Sequence, residues 1–150
     1  IGEEVILLSY PHHKTPSPYQ ANGPIYIRKA AQPAALEINE IPNMFSHRLL
    51  SVRGFDKNGF MQAATVTEGC NLREEIIKTF ETHEITYIHI HNAGPGCYNC
   101  MVERAWWWMW ILFHLQQQYQ SKWKLKLIRY SSKICAIQNG LGHCGRLFKI

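Results

Sequence analysis

Residues 49–67 read LLSVRGFDKNGFMQAATVT, and this stretch decides the fold. Two runs of strand-forming residues, Leu49 to Phe55 and Phe60 to Thr67, flank the turn sequence DKNG at 56–59. Asn and Gly both accept positive φ, so an Asn-Gly pair between two such runs favours a β-hairpin. The stretch therefore predicts two antiparallel strands joined by a tight turn.

The sequence after the hairpin predicts a helix and then another strand. From Asn71 to about His83, apolar residues recur at the spacing of one helix face. Glu84 to Asn92 then alternates with the period of a strand. The alternation predicts that one face carries Ile85, Tyr87, His89 and His91, and that the other carries Thr86, Ile88 and Ile90.

The sequence before the hairpin predicts two more strands. Glu4 to Tyr10 is an apolar run that ends at Pro11, and Ile25 to Arg28 is a second short run. The intervening Pro-rich segment predicts a loop with an exposed pair, His12-His13, and Pro42 to His47 predicts a helical turn. Together these elements predict an α+β fold, with a largely antiparallel sheet, one main helix and an atypical C-terminal extension.

The charges divide the 150-residue chain into two parts. Residues 1–105 hold all 11 acidic residues and 9 Lys and Arg, whereas residues 106–150 hold 7 basic residues, no acid and all five Trp. With 46% apolar residues, the composition excludes collagen-like and wholly disordered classes. We therefore expect an α+β domain over 1–105 and a basic, Trp-rich extension over 106–150.

The extension has several interpretations. A basic and aromatic segment is typical of contact with a membrane surface or with nucleic acid. Its run from Trp106 to Leu115 is also apolar enough to pack against the sheet. We favour an extension without a selected function, and its longest apolar run, Trp106 to Phe113, is too short to predict a transmembrane span.

Several ordered motifs within 1–105 resemble a known bacterial family. They are Pro18-Tyr19, Gly23-Pro24-Ile25-Tyr26-Ile27-Arg28, Leu50-Ser51-Val52-Arg53, His89-Ile90-His91-Asn92-Ala93, Gly96-Cys97-Tyr98 and Arg104. The sequence resembles the proteins grouped as domain of unknown function 1203. The resemblance implies a bacterial protein without an assigned reaction. It also implies that family members carry a further N-terminal segment, so we expect 1–105 to be N-terminally truncated.

The candidate site is the strand end around His89 and His91, followed by the turn Gly94-Pro95-Gly96 and Cys97. In the simplest interpretation both imidazoles are hydrogen-bonded side chains of a half-buried sheet. A second interpretation is a zinc site with Cys97 and Cys100, although the spacing is not a standard one. The third is a small-molecule site, in which His91 acts as a base and Cys97 as a nucleophile, with His89 beside them.

Further residues are candidates for ligand binding in the third interpretation. Asn92 is suited to orienting a ligand, and Tyr98 lies next to Cys97 in the sequence. If the sheet brings them together, Arg28, Arg53 and Arg104 form a wall that binds a small anion, because guanidinium groups bind carboxylate or phosphate bidentately. We take the strand end around His89 and His91 as the candidate site for a small anionic molecule and expect no cofactor and no metal there. Whether the chain is an enzyme stays open.

Known signatures and the cysteine content narrow the function classes. The sequence lacks the phosphate-binding G-x-x-x-x-G-K-[ST], the dinucleotide G-x-G-x-x-G and the H-E-x-x-H and G-x-S-x-G motifs. Nucleotide hydrolysis and α/β-hydrolase chemistry therefore have no support. Five cysteines, an odd number in a chain long enough to bury its own core, favour a reducing, cytoplasmic compartment.

Overall fold

The structure is a computed structural model, and it describes residues 4–29, 36–37, 39–104 and the backbone of 128–130. The regular elements within these residues are β1 (Val5–His13), β2 (Ala21–Arg28), β3 (Leu49–Phe55), β4 (Met61–Glu68), α1 (Leu72–Thr79), β5 (Tyr87–Asn92), β6 (Tyr98–Arg104) and β7 (Ile128–Tyr130). Single 3-10 turns at Asn43–Phe45 and Gly69–Asn71 precede β3 and α1. The first of these turns lies within the stretch from Pro42 to His47.

The strands form two antiparallel sheets. β1 and β2 pair as a hairpin, here called the β1–β2 hairpin. In the described residues the remaining strands form a larger sheet, here called the main sheet, with the order β4-β3-β5-β6-β7. All of its neighbouring pairs are antiparallel, and the predicted β3–β4 hairpin is one of them. The predicted α+β class is confirmed.

One face of the main sheet packs against α1 and encloses the core. Ile88 and Ile90 of β5 are fully buried there, together with Val52 of the adjacent β3. The helix contributes Leu72 and Ile76, both fully buried. Burial of such side chains stabilises a fold by roughly 1.5–3 kcal/mol each, so this apolar layer anchors the main sheet.

The β1–β2 hairpin packs across the opposite face of the main sheet. The ring of His12 in β1 stacks on Tyr98 of β6, with centroids 4.8 Å apart and planes inclined by 18°. The neighbouring His13 lies 4.5 Å from the ring of Phe55 in β3. The main sheet is therefore the middle of three layers, with an aliphatic interface on one side and an aromatic, histidine-rich interface on the other.

The course of β1 corrects two sequence-based predictions. The strand was predicted to end at Tyr10 but continues through Pro11, which pairs with Asn22, to His13. Proline is tolerated because a strand in a two-stranded sheet has one edge without a partner strand. His13 consequently enters the interior with 3% exposure and His12 is half-buried, so the prediction of an exposed pair was wrong.

Three further elements differ from the predictions. Helix α1 ends at Thr79, before the predicted His83. Ile85 precedes β5 and lies in the aliphatic core, so it does not share the face of His89 as the alternation predicted. Strand β6 was not predicted at all, because its apolar positions are interrupted by Asn99 and a β-bulge opposite His91.

The predicted extension lies outside the described residues except for β7. The backbone of β7 pairs with β6, with Tyr130 opposite Val102. The segment 106–150 therefore adds a strand to the edge of the main sheet. As for membrane crossing, α1 has eight residues, and the described part of the chain contains no helix that is long and apolar enough to span a bilayer.

Substitution of Gly69 by alanine is expected to destabilise the fold. A Cβ atom at Gly69 would lie 1.6 Å from the backbone carbonyl oxygen of Phe45, a contact that no side-chain rotation can relieve. We expect Gly69→Ala to lower the free energy of unfolding by about 3 kcal/mol or more. Gly94→Ala is the matched control, because a Cβ there meets no atom within 4 Å, and it should change stability by less than about 0.5 kcal/mol. Urea unfolding measures both, and equal stabilities would contradict the close approach.

Candidate functional site

A cavity of about 250 Å³ lies between the β1–β2 hairpin and the main sheet. Its polar lining includes His12 and His13 from β1, Gln20 from the hairpin loop, Arg53 from β3, and His89 and His91 from β5. No Asp or Glu is among the described residues that line it. The cavity is therefore a polar site that contains a cation but no carboxylate from the described chain.

The register of the main sheet brings Arg53 and the two β5 histidines together. His89 lies directly opposite Arg53, and His91 lies opposite Ser51. Residues paired in this way have their Cβ atoms about 4.5–5.5 Å apart on the same face of the sheet. The alternation of β5 turns both imidazoles away from the aliphatic core, as the sequence predicted, and against the hairpin.

Backbone carbonyl groups fix the orientation of two imidazoles. Nδ1 of His91 lies 2.9 Å from the carbonyl oxygen of Gly96, and Nδ1 of His13 lies 2.7 Å from that of Tyr19. A carbonyl oxygen only accepts hydrogen bonds, so each Nδ1 carries the hydrogen and donates it. In the neutral rings, each Nε2 therefore keeps its lone pair. Nε2 of His13 accepts a hydrogen bond from the hydroxyl of Tyr87 at 2.7 Å, and the ring of His91 lines the cavity.

Burial keeps the β5 histidines neutral. His89 is 2% and His91 is 3% exposed, and loss of hydration disfavours a charged imidazolium. Burial is the main cause that lowers the pKa of His89 to about 2 and that of His91 to about 4. Arg53 and neighbouring histidines act in the same direction, whereas the hydrogen bond to Gly96 partly opposes the shift of the His91 pKa. Burial also lowers the pKa of His12, although the Tyr10 carbonyl acts in the opposite direction. At neutral pH these rings are uncharged hydrogen-bonding groups.

Arg53 supplies the positive charge of the cavity. Its Nε donates a hydrogen bond to the hydroxyl of Ser51 at 3.2 Å, which fixes one side of the guanidinium. The side chain is half-buried, and it forms no ion pair with another described residue. Its two terminal amino groups are thus the charged donors available to an occupant of the cavity.

The other predicted ligand-binding residues lie elsewhere. Asn92 is on the helix side of β5, where its side chain accepts a hydrogen bond from Asn99 at 3.2 Å. Arg104 also lies on that side, where it donates to the carbonyl of Phe80 at 2.6 Å and sits above the Phe80 ring. Arg28 is at the end of β2 and does not line the cavity. The structure thus brings Arg53, but not Arg104 or Arg28, to the imidazoles.

Tyr98 and Cys97 are close to the site without lining the cavity. Tyr98 is 4% exposed, and its ring lies 5.4 Å from that of His91 and is stacked on His12. Cys97 is half-buried, and its carbonyl accepts a hydrogen bond from the backbone of Asn92 at 2.9 Å, which closes the turn. A catalytic pair of His91 and Cys97 stays a prediction.

The ligand set of the zinc interpretation is not assembled in the described residues. Cys100 is fully buried in the aliphatic core, on the face of the main sheet opposite His89 and His91. Among the described residues, no group of three or more His, Cys, Asp or Glu side chains has the arrangement needed to hold a metal ion.

Sequence analysis missed the contribution of the hairpin to the site. His12 and His13 were assigned no role because Pro11 indicated the end of a strand and the start of a loop. Their rings lie 5.4 Å from His91 and 5.1 Å from His89, respectively. Extending the alternation of β1 past Pro11 would have indicated that His12 and His13 belong to the strand. Periodicity alone, however, does not show against which layer a hairpin packs.

Comparison with known proteins agrees with the resemblance seen in the sequence. The model of a family described as protein of unknown function (DUF1203) matches residues 1–104. The chain belongs to the DUF1203 family. No curated protein and no solved structure matches it. The DUF1203 match covers β1 to β6 and therefore includes the whole described lining of the cavity.

The stability of the DUF1203 chain should fall as the pH is lowered from about 7 to about 5. Unfolded imidazoles take up protons near the ordinary pKa of 6.5, whereas His89 and His91 stay neutral in the fold. Because the unfolded state binds more protons, acid favours unfolding, and the stabilising contribution of the neutral rings is complete only above a pH of about 6.5. At pH 5, each of the two rings should lower the free energy of unfolding by about 2 kcal/mol, which urea unfolding measures.

Two variants separate this effect from general acid sensitivity. His91→Gln removes one buried imidazole and should make the dependence of the unfolding free energy on pH less steep. His83→Gln removes an exposed histidine outside the site and should leave the dependence unchanged. A wild-type chain with equal stability at both pH values would contradict the burial of neutral rings.

Proposed function

We propose that the chain binds a small anionic molecule in the cavity between the β1–β2 hairpin and the main sheet. The observation that carries the proposal is the half-buried guanidinium of Arg53, which has no carboxylate partner among the described residues. A charge removed from water is costly unless an opposite charge or strong hydrogen bonds compensate it. A bound anion would supply that compensation.

The orientation of Arg53 suits carboxylate or phosphate oxygens. Since Nε is held by Ser51 at 3.2 Å, the guanidinium plane is fixed while its terminal amino groups stay available. Such a group donates two parallel hydrogen bonds to a pair of oxygens, which adds direction to the charge attraction. His89, paired with Arg53 across the strands, forms the wall beside the bound group.

His91 restricts where the charged oxygens of the ligand lie. Its Nδ1 donates to Gly96, so Nε2 of the neutral ring only accepts hydrogen bonds. An acceptor next to an anionic oxygen is unfavourable unless a hydrogen lies between them. Because burial keeps this ring neutral, we expect the charged oxygens of the ligand to face Arg53 and not His91.

The same site is where a chemical step would take place. In the predicted reaction His91 would act as the base, and Cys97, which lies beyond the turn and does not line the cavity, would have to approach the bound anion to act as the nucleophile. Binding comes first in this proposal, because it rests on residues that line the cavity.

We also propose a cytoplasmic location, which bears on the choice of ligand. The chain has five cysteines, an odd number in a chain long enough to bury its own core. Such a cysteine content favours a reducing compartment. The anion would then be a small cytoplasmic metabolite.

Replacement of Arg53 should abolish most of the binding. We expect the full chain to bind acetate or inorganic phosphate, measured by NMR chemical-shift titration, and Arg53→Gln to weaken the affinity about tenfold or more because the charged hydrogen bonds are lost. Arg73→Gln is the control, since Arg73 is an exposed arginine of α1 on the opposite face of the main sheet. Equal affinities in the two variants would contradict the proposal.

A further inference from the structure

The lining of the cavity changes character along β3. Phe55 and Arg53 are separated by one residue and point to the same face, with Ser51 one step farther. Each step corresponds to about 6.6–6.8 Å along a strand. Phe55 pairs with Met61 on one side and Tyr87 on the other, whereas Arg53 pairs with His89. The cationic and apolar ends of the cavity are therefore about one step apart.

The apolar end is built by Phe55 and Met61 from the main sheet and by Pro18 and Tyr19 from the loop of the β1–β2 hairpin. The Tyr19 ring meets the Phe55 ring edge to face, with centroids 6.1 Å apart and planes inclined by 73°. A planar ring packs well against such a wall, because edge-to-face and offset arrangements of aromatic rings are favourable. Met61 supplies a polarisable thioether that adapts to the edge of a ring.

The charge and size of the cavity restrict the anionic group. Arg53 is the one permanently charged residue among the described lining residues, and the buried rings of His89 and His91 near it are neutral. One positive charge compensates a monoanion but leaves a phosphate dianion with excess charge. The volume of about 250 Å³ lies below the range of about 300–1,000 Å³ that is typical of sites for drug-sized ligands.

We infer that the ligand is a small aromatic carboxylate of about the size of benzoate, with its carboxylate on Arg53 and its ring packed against Phe55 and Met61. This inference rests on the proposed anion binding and adds the chemical class of the ligand to it. The carboxylate is a monoanion, so its charge matches that of the guanidinium. The attached ring is long enough to reach from Arg53 to Phe55, which are about 6.6–6.8 Å apart along β3.

The test compares ligands that differ in one feature at a time on the full wild-type chain. Benzoate has both the charge and the ring, acetate has only the charge, and benzamide has the ring with a neutral head. We expect benzoate to bind about tenfold more tightly than either partial ligand, because burial of the ring and the charged contact both contribute. NMR titration or calorimetry gives the three affinities, with inorganic phosphate as a fourth ligand.

The outcomes distinguish this inference from the proposed function. If acetate binds as tightly as benzoate, or phosphate binds more tightly, the inference is overturned while anion binding stands. If benzamide binds as tightly as benzoate, the carboxylate has no role on Arg53, and the inference and the proposed function both fail. If none of the ligands binds, both are likewise overturned.

Variants of the apolar end test the position of the ring. Met61→Gln should weaken benzoate binding several-fold and leave acetate binding unchanged, and Met61→Leu should restore benzoate binding because it keeps an apolar contact. Val66→Gln makes the same kind of change at an exposed position of β4 outside the cavity, and it should alter neither affinity. Equal benzoate affinities in Met61→Gln and Val66→Gln would overturn the placement of the ring.

Discussion

The structure depends on the way β5 buries both of its faces. Ile88 and Ile90 enter the aliphatic layer beneath α1, while the histidines between and after them enter the layer beneath the β1–β2 hairpin. Because side chains alternate strictly along a strand, these two interfaces are locked together in register. A shift of one residue would place imidazoles in the aliphatic core and isoleucines in the cavity. The position of the candidate site is therefore set by the same packing that stabilises the main sheet.

The histidine-rich interface is compatible with a stable fold because two of its imidazoles have specific hydrogen-bond partners. His13 is held between the Tyr19 carbonyl and the Tyr87 hydroxyl, and His91 is held by the Gly96 carbonyl. Buried polar groups with such partners avoid most of the cost of losing their contacts with water. The rings also pack against each other and against Tyr98, with centroid distances of 4.8 to 6.0 Å between His12 and its aromatic neighbours. The interface therefore combines aromatic packing with imidazoles that line the cavity.

Sequence patterns predicted the middle layer well and the outer layer poorly. The Asn-Gly turn and the alternation from Tyr87 to Asn92 are local signals, and both the β3–β4 hairpin and β5 agree with them. The shared face of His89 and His91 followed from the same local rule. The role of His12 and His13 did not, because it arises from contacts between strands more than seventy residues apart, such as that between His13 and Tyr87. Arg28, Arg53 and Arg104 were equally good candidates for anion binding in the sequence. The pairing of β3 with β5 puts Arg53 opposite His89, whereas Arg104 contacts Phe80 on the other face of the main sheet.

The electrostatics of the cavity follow from these two kinds of contact. The pairing of β3 with β5 puts a guanidinium beside His89, and the hairpin covers His89 completely and Arg53 in part. Loss of hydration keeps the rings of His89 and His91 neutral, and a second positive charge next to Arg53 would be unfavourable in a medium of low dielectric constant. No Asp or Glu is among the described lining residues, so the positive charge of Arg53 has no opposite charge there. The burial that stabilises this interface therefore leaves one guanidinium as the only permanent charge in the described lining of the cavity.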